Sequence, residues 1–306
     1  MFASIPRWLR LVVYVQIALV FAIPMGGWIL QSAGEAADLR AYPPPGRMVD
    51  LGGRGIHIYC EGERRAGPLV VFNADISDSG LVWRGVQKAL GGRLRSCAID
   101  RAGLGWSDPG AEDRSITATA RELHRVLAAS GEAPPYLPVG HGLGALQLLV
   151  MAREHPAEIA GIVLVDPLPP GCLKQRLDGV AAKVEGAERQ AIREKVDEIV
   201  AERGPCPDGD GGTPLLSWLA RIGMVRALAG GNFDATSPMP ELLPVHRALK
   251  LRTQATDAVL AESRTAYVGM AEARQALALL KAKPSVVLSR GRMGNFANDQ
   301  SLLEQQ

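Results

Sequence analysis

The sequence predicts an α/β protein built on a mostly parallel, doubly wound sheet. Two apolar runs, Leu69 to Phe72 and Ile162 to Val165, are short and uninterrupted, as strands covered on both faces are. Segments with three- and four-residue apolar spacing alternate with such runs, which is the rhythm of strand, helix, parallel strand. A glycine-rich turn, Val139-Gly140-His141-Gly142-Leu143-Gly144, joins an apolar run to an almost wholly apolar helical segment. At 306 residues the chain has room for one large domain or two smaller ones with a sizeable core. Its 34 basic and 32 acidic residues nearly cancel, at net +2. No basic cluster interleaves with aromatics, so nucleic acid is not a suggested partner.

Leu11 to Leu30 carries no charged residue and is about long enough to cross a bilayer core. Arg7 and Arg10 precede it, and Glu35, Asp38 and Arg40 follow. That asymmetry predicts a single-pass membrane anchor with a cytoplasmic N-terminus and the domain on the extracytoplasmic side. A cleaved signal peptide with Ser32-Ala33-Gly34 at the cleavage site, giving a secreted protein, is the alternative. The run is longer than an ordinary signal core, which favours the anchor. Pro24, Gly26 and Gly27 bend its far end without forbidding it. The organisation expected is an anchor and linker over 1–40, a first part of the core over 41–167, a helical cap over 168–282 and the rest of the core over 283–306.

After the spacer Tyr42-Pro43-Pro44-Pro45-Gly46, Arg47 to Leu51 and Gly55 to Cys60 read as a hairpin turned at Gly52-Gly53. Leu69 to Phe72 is the next strand, and Leu81, Val82, Val86 and Leu90 mark a helix that Gly91-Gly92 stops. Ser96 to Ile99 delivers Asp100 at a strand end, followed by the loop Arg101-Ala102-Gly103-Leu104-Gly105-Trp106-Ser107. Ile116, Ala120, Leu123 and Leu127 define a helix over 115–129. The strand before the turn is Tyr136 to Val139; the helix after it runs out at His155-Pro156. Ile162 to Val165 ends in Asp166-Pro167. Helical candidates then fill the chain: one around Val180, Val184, Ala187, Ala191 and Val196, one from Leu215 to Val225, and others over 241–260 and 266–281. Ser285 to Leu288 resumes the strand pattern.

An oxidising compartment would allow disulfides among Cys60, Cys97, Cys172 and Cys206, but spacing does not reveal a pairing. Cys60 and Cys97 read equally well as small apolar residues at strand ends. No Cys-x-x-Cys or Cys/His spacing suggests a metal.

The Gly140 to Gly144 turn has the frame of a nucleophile elbow, in which small flanking residues let a strand bend sharply into a helix. Together with Tyr59-Cys60, the strand before Asn73, the Asp100 to Ser107 loop and Leu164-Val165-Asp166-Pro167, it resembles the α/β-hydrolase superfamily, in particular membrane-anchored or secreted bacterial esterase-like members. The resemblance covers residues 40 to 167, with the pieces in family order, and the helical insertion resembles the family's cap.

It implies a serine at position 142, an acid at a strand end and a histidine from a loop near the C-terminus. It also implies oxyanion donors from the backbone of Leu143 and of the Ala74-Asp75 loop. The chain departs from this pattern three times. Gly142 has no side chain with which to attack. The five histidines are His57, His124, His141, His155 and His246, none of them after the last strand, and the chain ends before the loop that would supply the base. Asp75 brings a carboxylate to a loop that is usually glycine-rich.

Asp166 is the candidate acid, with a turn-capping role as the alternative. Asp100 reads as a brace for its loop, and Asp299 as a poor substitute acid. Ser77 and Ser107 read as loop hydrogen-bonders, and His141 as structural. His246 reads as a packing or solvated residue, His57 as part of the hairpin, His124 as part of a helix face, and His155 as a helix-end cation. A second reading takes Gly140-x-Gly142-x-x-Ala145, with Asp166 beyond, as a dinucleotide fingerprint. The expectation is a protein of acyl-hydrolase ancestry, inactive or severely impaired, needing no cofactor and taking at most a small hydrophobic ester-like ligand. A non-catalytic ligand-binding relative is the alternative. An exposed edge at Ser285 to Leu288 predicts poor solubility.

Overall fold

Chain order alone does not say which strands pair, and in the computed structural model the pairing is what assembles the site. The structure describes residues 6–110, 113–168, 185–203, 214–228, 239–266 and 269–289. Cys172, Cys206, Asp299, Val180 and Val184 lie outside them. The chain divides into two units, residues 44–212 with 257–306, and residues 1–43 with 213–256.

The larger unit holds the sheet. Its strands are β1 (Arg47–Asp50), β2 (Gly55–Glu61), β3 (Leu69–Asn73), β4 (Ser96–Ile99), β5 (Tyr136–His141), β6 (Ile162–Val165) and β7 (Ser285–Leu288). They lie in the order β1-β2-β4-β3-β5-β6-β7. The predicted hairpin forms, β1 and β4 both run antiparallel to β2, and every other neighbouring pair is parallel. From β3 the chain passes to β4 on one side and later to β5 on the other. The loops after β3 and β5 therefore diverge at a switch point, the place where open α/β sheets form sites.

Apolar side chains cover both faces, as the uninterrupted runs require. On one face α3 (Ile116–Ala129) and α4 (Leu143–Glu154) pack through residues such as Leu123, Leu127, Leu146 and Leu149. Later helices α10 (Met270–Ala276) and α11 (Leu279–Ala282) join them, α10 through Met270, Ala273 and Ala276. On the other face Phe72, Ala98 and Val139 pack with Trp83, which stacks on Phe72 at 4.7 Å between ring centroids. Ser115 caps α3 by accepting from the Ala118 N–H, as a cap residue before the apolar face should.

Three expectations are corrected. The helix α2 (Arg84–Leu90), with the 3-10 turn Gly80–Trp83 before it, does not bury Val82 and Val86; both face out. Leu81, Trp83 and Gln87 turn inward instead, and Gln87 donates to the carbonyls of Tyr59 and Ser96. The 3-10 turn breaks the helical period, and the pattern reading assumed one continuous helix. Cys60 and Cys97 are not mere apolar fillers. The β2–β4 register sets them opposite each other, 4.0 Å apart at Cα, and they form a disulfide. The single helical candidates at 241–260 and 266–281 are each broken. Helices α8 (Leu243–Lys250) and α9 (Thr253–Thr265) part at Leu251-Arg252, and α10 and α11 part at Leu277-Ala278. Beyond β7 no strand follows among the described residues, and Val286 and Leu288 are exposed.

Between β6 and these helices lies α5 (Gly186–Arg203), whose described side chains are largely exposed.

The smaller unit is built on α1 (Arg7–Ala41), a single helix of 35 residues that continues past the apolar run and through Pro24. Its best window has a mean hydropathy of 1.9 and is 0% buried, so α1 is long and apolar enough to cross a membrane. Helices α6 (Pro214–Arg221) and α8 pack against it, and α7 (Met224–Leu228) packs on α6. Polar side chains fix the packing. Gln31 donates to Leu251 O and accepts from Arg226 Nε, Arg226 also meets Asp38 at 2.7 Å, and Glu35 accepts from Thr253 N.

Candidate active site

The turn from β5 into α4 is tight because glycine makes it possible. A Cβ on Gly140 would lie 2.4 Å from Ala145 Cα, and one on Gly144 would lie 2.2 Å from Ala74 O. Gly142 itself has φ 55° and ψ −121°, a backbone conformation strained for any residue with a side chain. Its N–H donates to Val165 O at 3.2 Å, and its carbonyl accepts from Leu168 N at 3.3 Å. The turn is thus stitched to the segment that holds Asp166. That residue is half-buried at φ 42°, and its N–H donates to Leu288 O at 2.6 Å. Gly142 is thus bonded to the backbone on either side of Asp166, and the Ala74-Asp75 loop lies against Gly142, Leu143 and Gly144.

Asp75 gives this site its character. Leu143 N, the first amide of α4, donates to Asp75 Oδ1 at 2.7 Å. A Cβ built on Gly142 would fall 1.9 Å from that same oxygen and 2.1 Å from Cγ. One carboxylate thus fills the space a side chain at position 142 would take and accepts from the first amide of α4. The helix N-terminus makes this a favourable seat for an anion.

Buried charge holds the Asp75 loop in place. Arg101 is 1% exposed and spreads its guanidinium over three successive residues, the last of β3 and the two that follow. It donates to Asn73 Oδ1 at 3.1 Å, Ala74 O at 2.6 Å and Asp75 O at 2.9 Å. Asn73 in turn donates to Gly144 O and to Gln147 Oε1, tying the loop to α4. Arg101 is paired by Glu262 from α9 through two bonds, at 2.7 and 2.9 Å, and Arg114 adds a third at 3.0 Å. Burial alone would raise the Glu262 carboxyl, but the charges of Arg101 and Arg114 hold it below the usual carboxylate range. Burial likewise opposes the Arg101 charge, and Glu262 overcomes it, so Arg101 stays protonated.

Asp100 is the brace the sequence suggested. Its carboxylate accepts from Gly80 N and Trp106 N and lies 2.8 Å from His57 Nδ1. Gly105, at φ 53°, is obligatory beside it, because a Cβ there would sit 2.0 Å from Asp100 Oδ2. The sequence placed His57 only in the hairpin and gave no sign of this buried pairing. Ser107 is a loop hydrogen-bonder, donating to Asp100 O and accepting from His57 N.

His124 and His155 stack at 3.5 Å with planes 5° apart, and Glu158 lies 3.0 Å from His124 Nε2. The three could offer a metal one atom each within 4.8 Å. Parallel rings, however, send their lone pairs side by side and not toward a common point. His246 lies on α8 in the smaller unit.

A strand–elbow–helix unit at the switch point of this sheet defines an α/β-hydrolase fold. A family model described as alpha/beta hydrolase fold matches residues 68–201, and the chain has that fold. Among curated proteins it is similar to the uncharacterized protein YbdG of Bacillus subtilis, 27% identical over 147 residues, 48% of this chain and 44% of that one. The chain spans less than half the length of such relatives. Among solved structures it is similar to the haloalkane dehalogenase DatA of Agrobacterium tumefaciens, at 20% identity, TM-score 0.52 and coverage of 79% and 77%. It is also similar to Cfl2 of Burkholderia cenocepacia, at 21% identity, TM-score 0.56 and coverage of 84% and 83%. At these identities the structural likeness is one of fold.

Proposed function

We propose that this protein is a membrane-anchored relative of acyl hydrolases that has lost covalent ester hydrolysis and retains at most the binding of a small hydrophobic ester-like ligand. The observation that carries the reading is the Asp75 carboxylate, 2.7 Å from Leu143 N and filling the place of a side chain at Gly142. Ester hydrolysis on this fold needs an activated nucleophile and two backbone donors for the oxyanion. Gly142 cannot supply the first, and Asp75 already takes up one of the second. An oxyanion developing about 4 Å from Asp75 would meet a repulsion of roughly 4 kcal/mol at an effective dielectric of 20. That alone slows a reaction by roughly a thousandfold. Asp166 is read as the acid of the ancestral arrangement.

The dinucleotide reading loses ground for the same reason. A pyrophosphate seeks the first free amides of the helix, and here Asp75 holds the Leu143 amide with a fixed negative charge. Leu11 to Leu30 is read as the membrane span, with Arg7 and Arg10 on the cytoplasmic side and the hydrolase fold on the other. Secretion after cleavage remains the alternative topology.

The direct test is hydrolysis of a short aryl ester by the purified full chain, beside an unrelated protein prepared in the same detergent. No turnover above that control is expected. Turnover above it means an unrecognised nucleophile or an activated water, and the inactive reading falls.

A further inference from the structure

The apolar run of α1 ends at Leu30; the corner between α6 and α7 meets the helix before that end, and α7 reaches it just beyond, through Arg226. Backbone touches backbone at the crossing. A Cβ on Gly27 would lie 2.2 Å from Ile222 O, and one on Gly223 would lie 3.1 Å from Gly27 O. Glycine at both positions is what lets the α6–α7 corner sit directly on α1. Gly27 precedes Leu30 by three residues, or about 4.5 Å of helix rise. A membrane that takes up the apolar run therefore also reaches this corner.

The polar ties begin immediately beyond. Gln31 is 3% exposed and Arg226 reaches it and Asp38 from α7, so the charged and hydrogen-bonded side of the unit starts where the apolar run stops. These contacts fix both the height and the rotation of α6 and α7 on α1.

What α6 and α7 present outward is strongly apolar. Leu215, Leu216, Trp218, Met224 and Leu228 are between 39% and 73% exposed. Five large apolar side chains on two short helices would be a liability in water. Beside a membrane span they form a seat at the level where apolar side chains enter the acyl boundary and tryptophan prefers to lie.

We infer that α6 and α7 form an interfacial foot that lies in the bilayer's headgroup and acyl boundary against α1, with the lipid bilayer as the occupant of their apolar face. The inference rests on the reading of α1 as a membrane span and adds a second point of attachment. The foot fixes the rotation of the smaller unit about the membrane normal, which a lone helix with a flexible joint would leave free.

The test uses the full chain reconstituted in phosphatidylcholine vesicles, with and without lipid brominated on its acyl chains. Parent-minus-variant emission for Trp218→Phe isolates the indole of α6, and the same subtraction for Trp28→Phe isolates one near the end of the apolar run of α1. The expected result is loss of both components in brominated vesicles, with Trp218 poorly reached by aqueous acrylamide. Trp28 quenched by brominated lipid while Trp218 is quenched only by acrylamide overturns the foot and leaves the span standing. Neither indole quenched by brominated lipid overturns both. Trp218 protected from both quenchers, together with a doubling of mass in detergent, assigns the apolar face to a second copy of the chain and also overturns the inference. Trp218→Phe keeps an apolar ring at an exposed position, so loss of folding does not confuse the comparison.

Discussion

Placing a serine at the elbow, Gly142→Ser, tests whether Asp75 fills that space. The new Cβ would stand 1.9 Å from Asp75 Oδ1, a separation no bonded-apart pair of atoms tolerates. Asp75 must swing away and release Leu143 N, which forfeits a charge-assisted hydrogen bond of about 1.5–3 kcal/mol. The positive φ of 55° adds about 1–3 kcal/mol of backbone strain for a residue with a side chain. The single variant is therefore expected to lose roughly 3–6 kcal/mol. Asp75→Gly removes the obstacle and forfeits the same hydrogen bond once. In the double variant only the strain is added to that loss, so the two substitutions should couple favourably by about 1.5–3 kcal/mol. Urea unfolding of the four full-length proteins in one detergent, followed by tryptophan fluorescence, measures the cycle. Aryl ester hydrolysis on the same samples accompanies it and reads whether the added serine is activated. Additivity within about 0.5 kcal/mol would refute the claim that Asp75 occupies the nucleophile's space.

Glu262→Gln leaves Arg101 buried without its carboxylate partner and Arg114 with only Glu122, at 3.5 Å, and should cost about 3–5 kcal/mol by urea unfolding, whereas a change near zero would mean the ion pair does not hold the loop. Because the Glu262 carboxyl lies below its ordinary 4.5 in the folded chain, its contribution is fully present above that pH and is lost as pH falls through the lower folded value. The acid limb of stability measured by urea midpoints should accordingly be shallower in Glu262→Gln than in the parent; superimposable limbs would contradict this. Cys97→Ser opens a disulfide spanning 37 residues and should lower stability by about 4 kcal/mol on the chain-entropy account, read from non-reducing unfolding curves. Gly144→Ala drives a methyl toward Ala74 O, 2.2 Å away, and should lose about 1–3 kcal/mol; an unchanged midpoint would mean the loop and elbow are not in contact.

The sequence by itself determined the elements and their class. Apolar runs with no polar member can only be strands or helix segments buried on all sides, and their alternation with amphipathic helices leaves a parallel sheet as the economical solution. It also determined that position 142 cannot attack, because that is a property of glycine and not of its surroundings. The apolar length of Leu11 to Leu30 was equally plain, being a matter of composition. Local period failed at Val82 and Val86, where a 3-10 turn shifts the buried face, and at Leu251-Arg252, where the helix breaks.

Tertiary structure decided the rest. Asp75 and Leu143 meet across 68 positions and Arg101 and Glu262 across 161, separations over which spacing in sequence carries no distance information. The Cys60–Cys97 disulfide follows from strand register, which pairing sets and composition does not. The sequence could flag Asp75 as a carboxylate in an unusual loop. Only the parallel pairing of β3 with β5 at the switch point placed that carboxylate in the space of a side chain at position 142 and on the Leu143 amide, because the folded backbone fixes where a short side chain can reach.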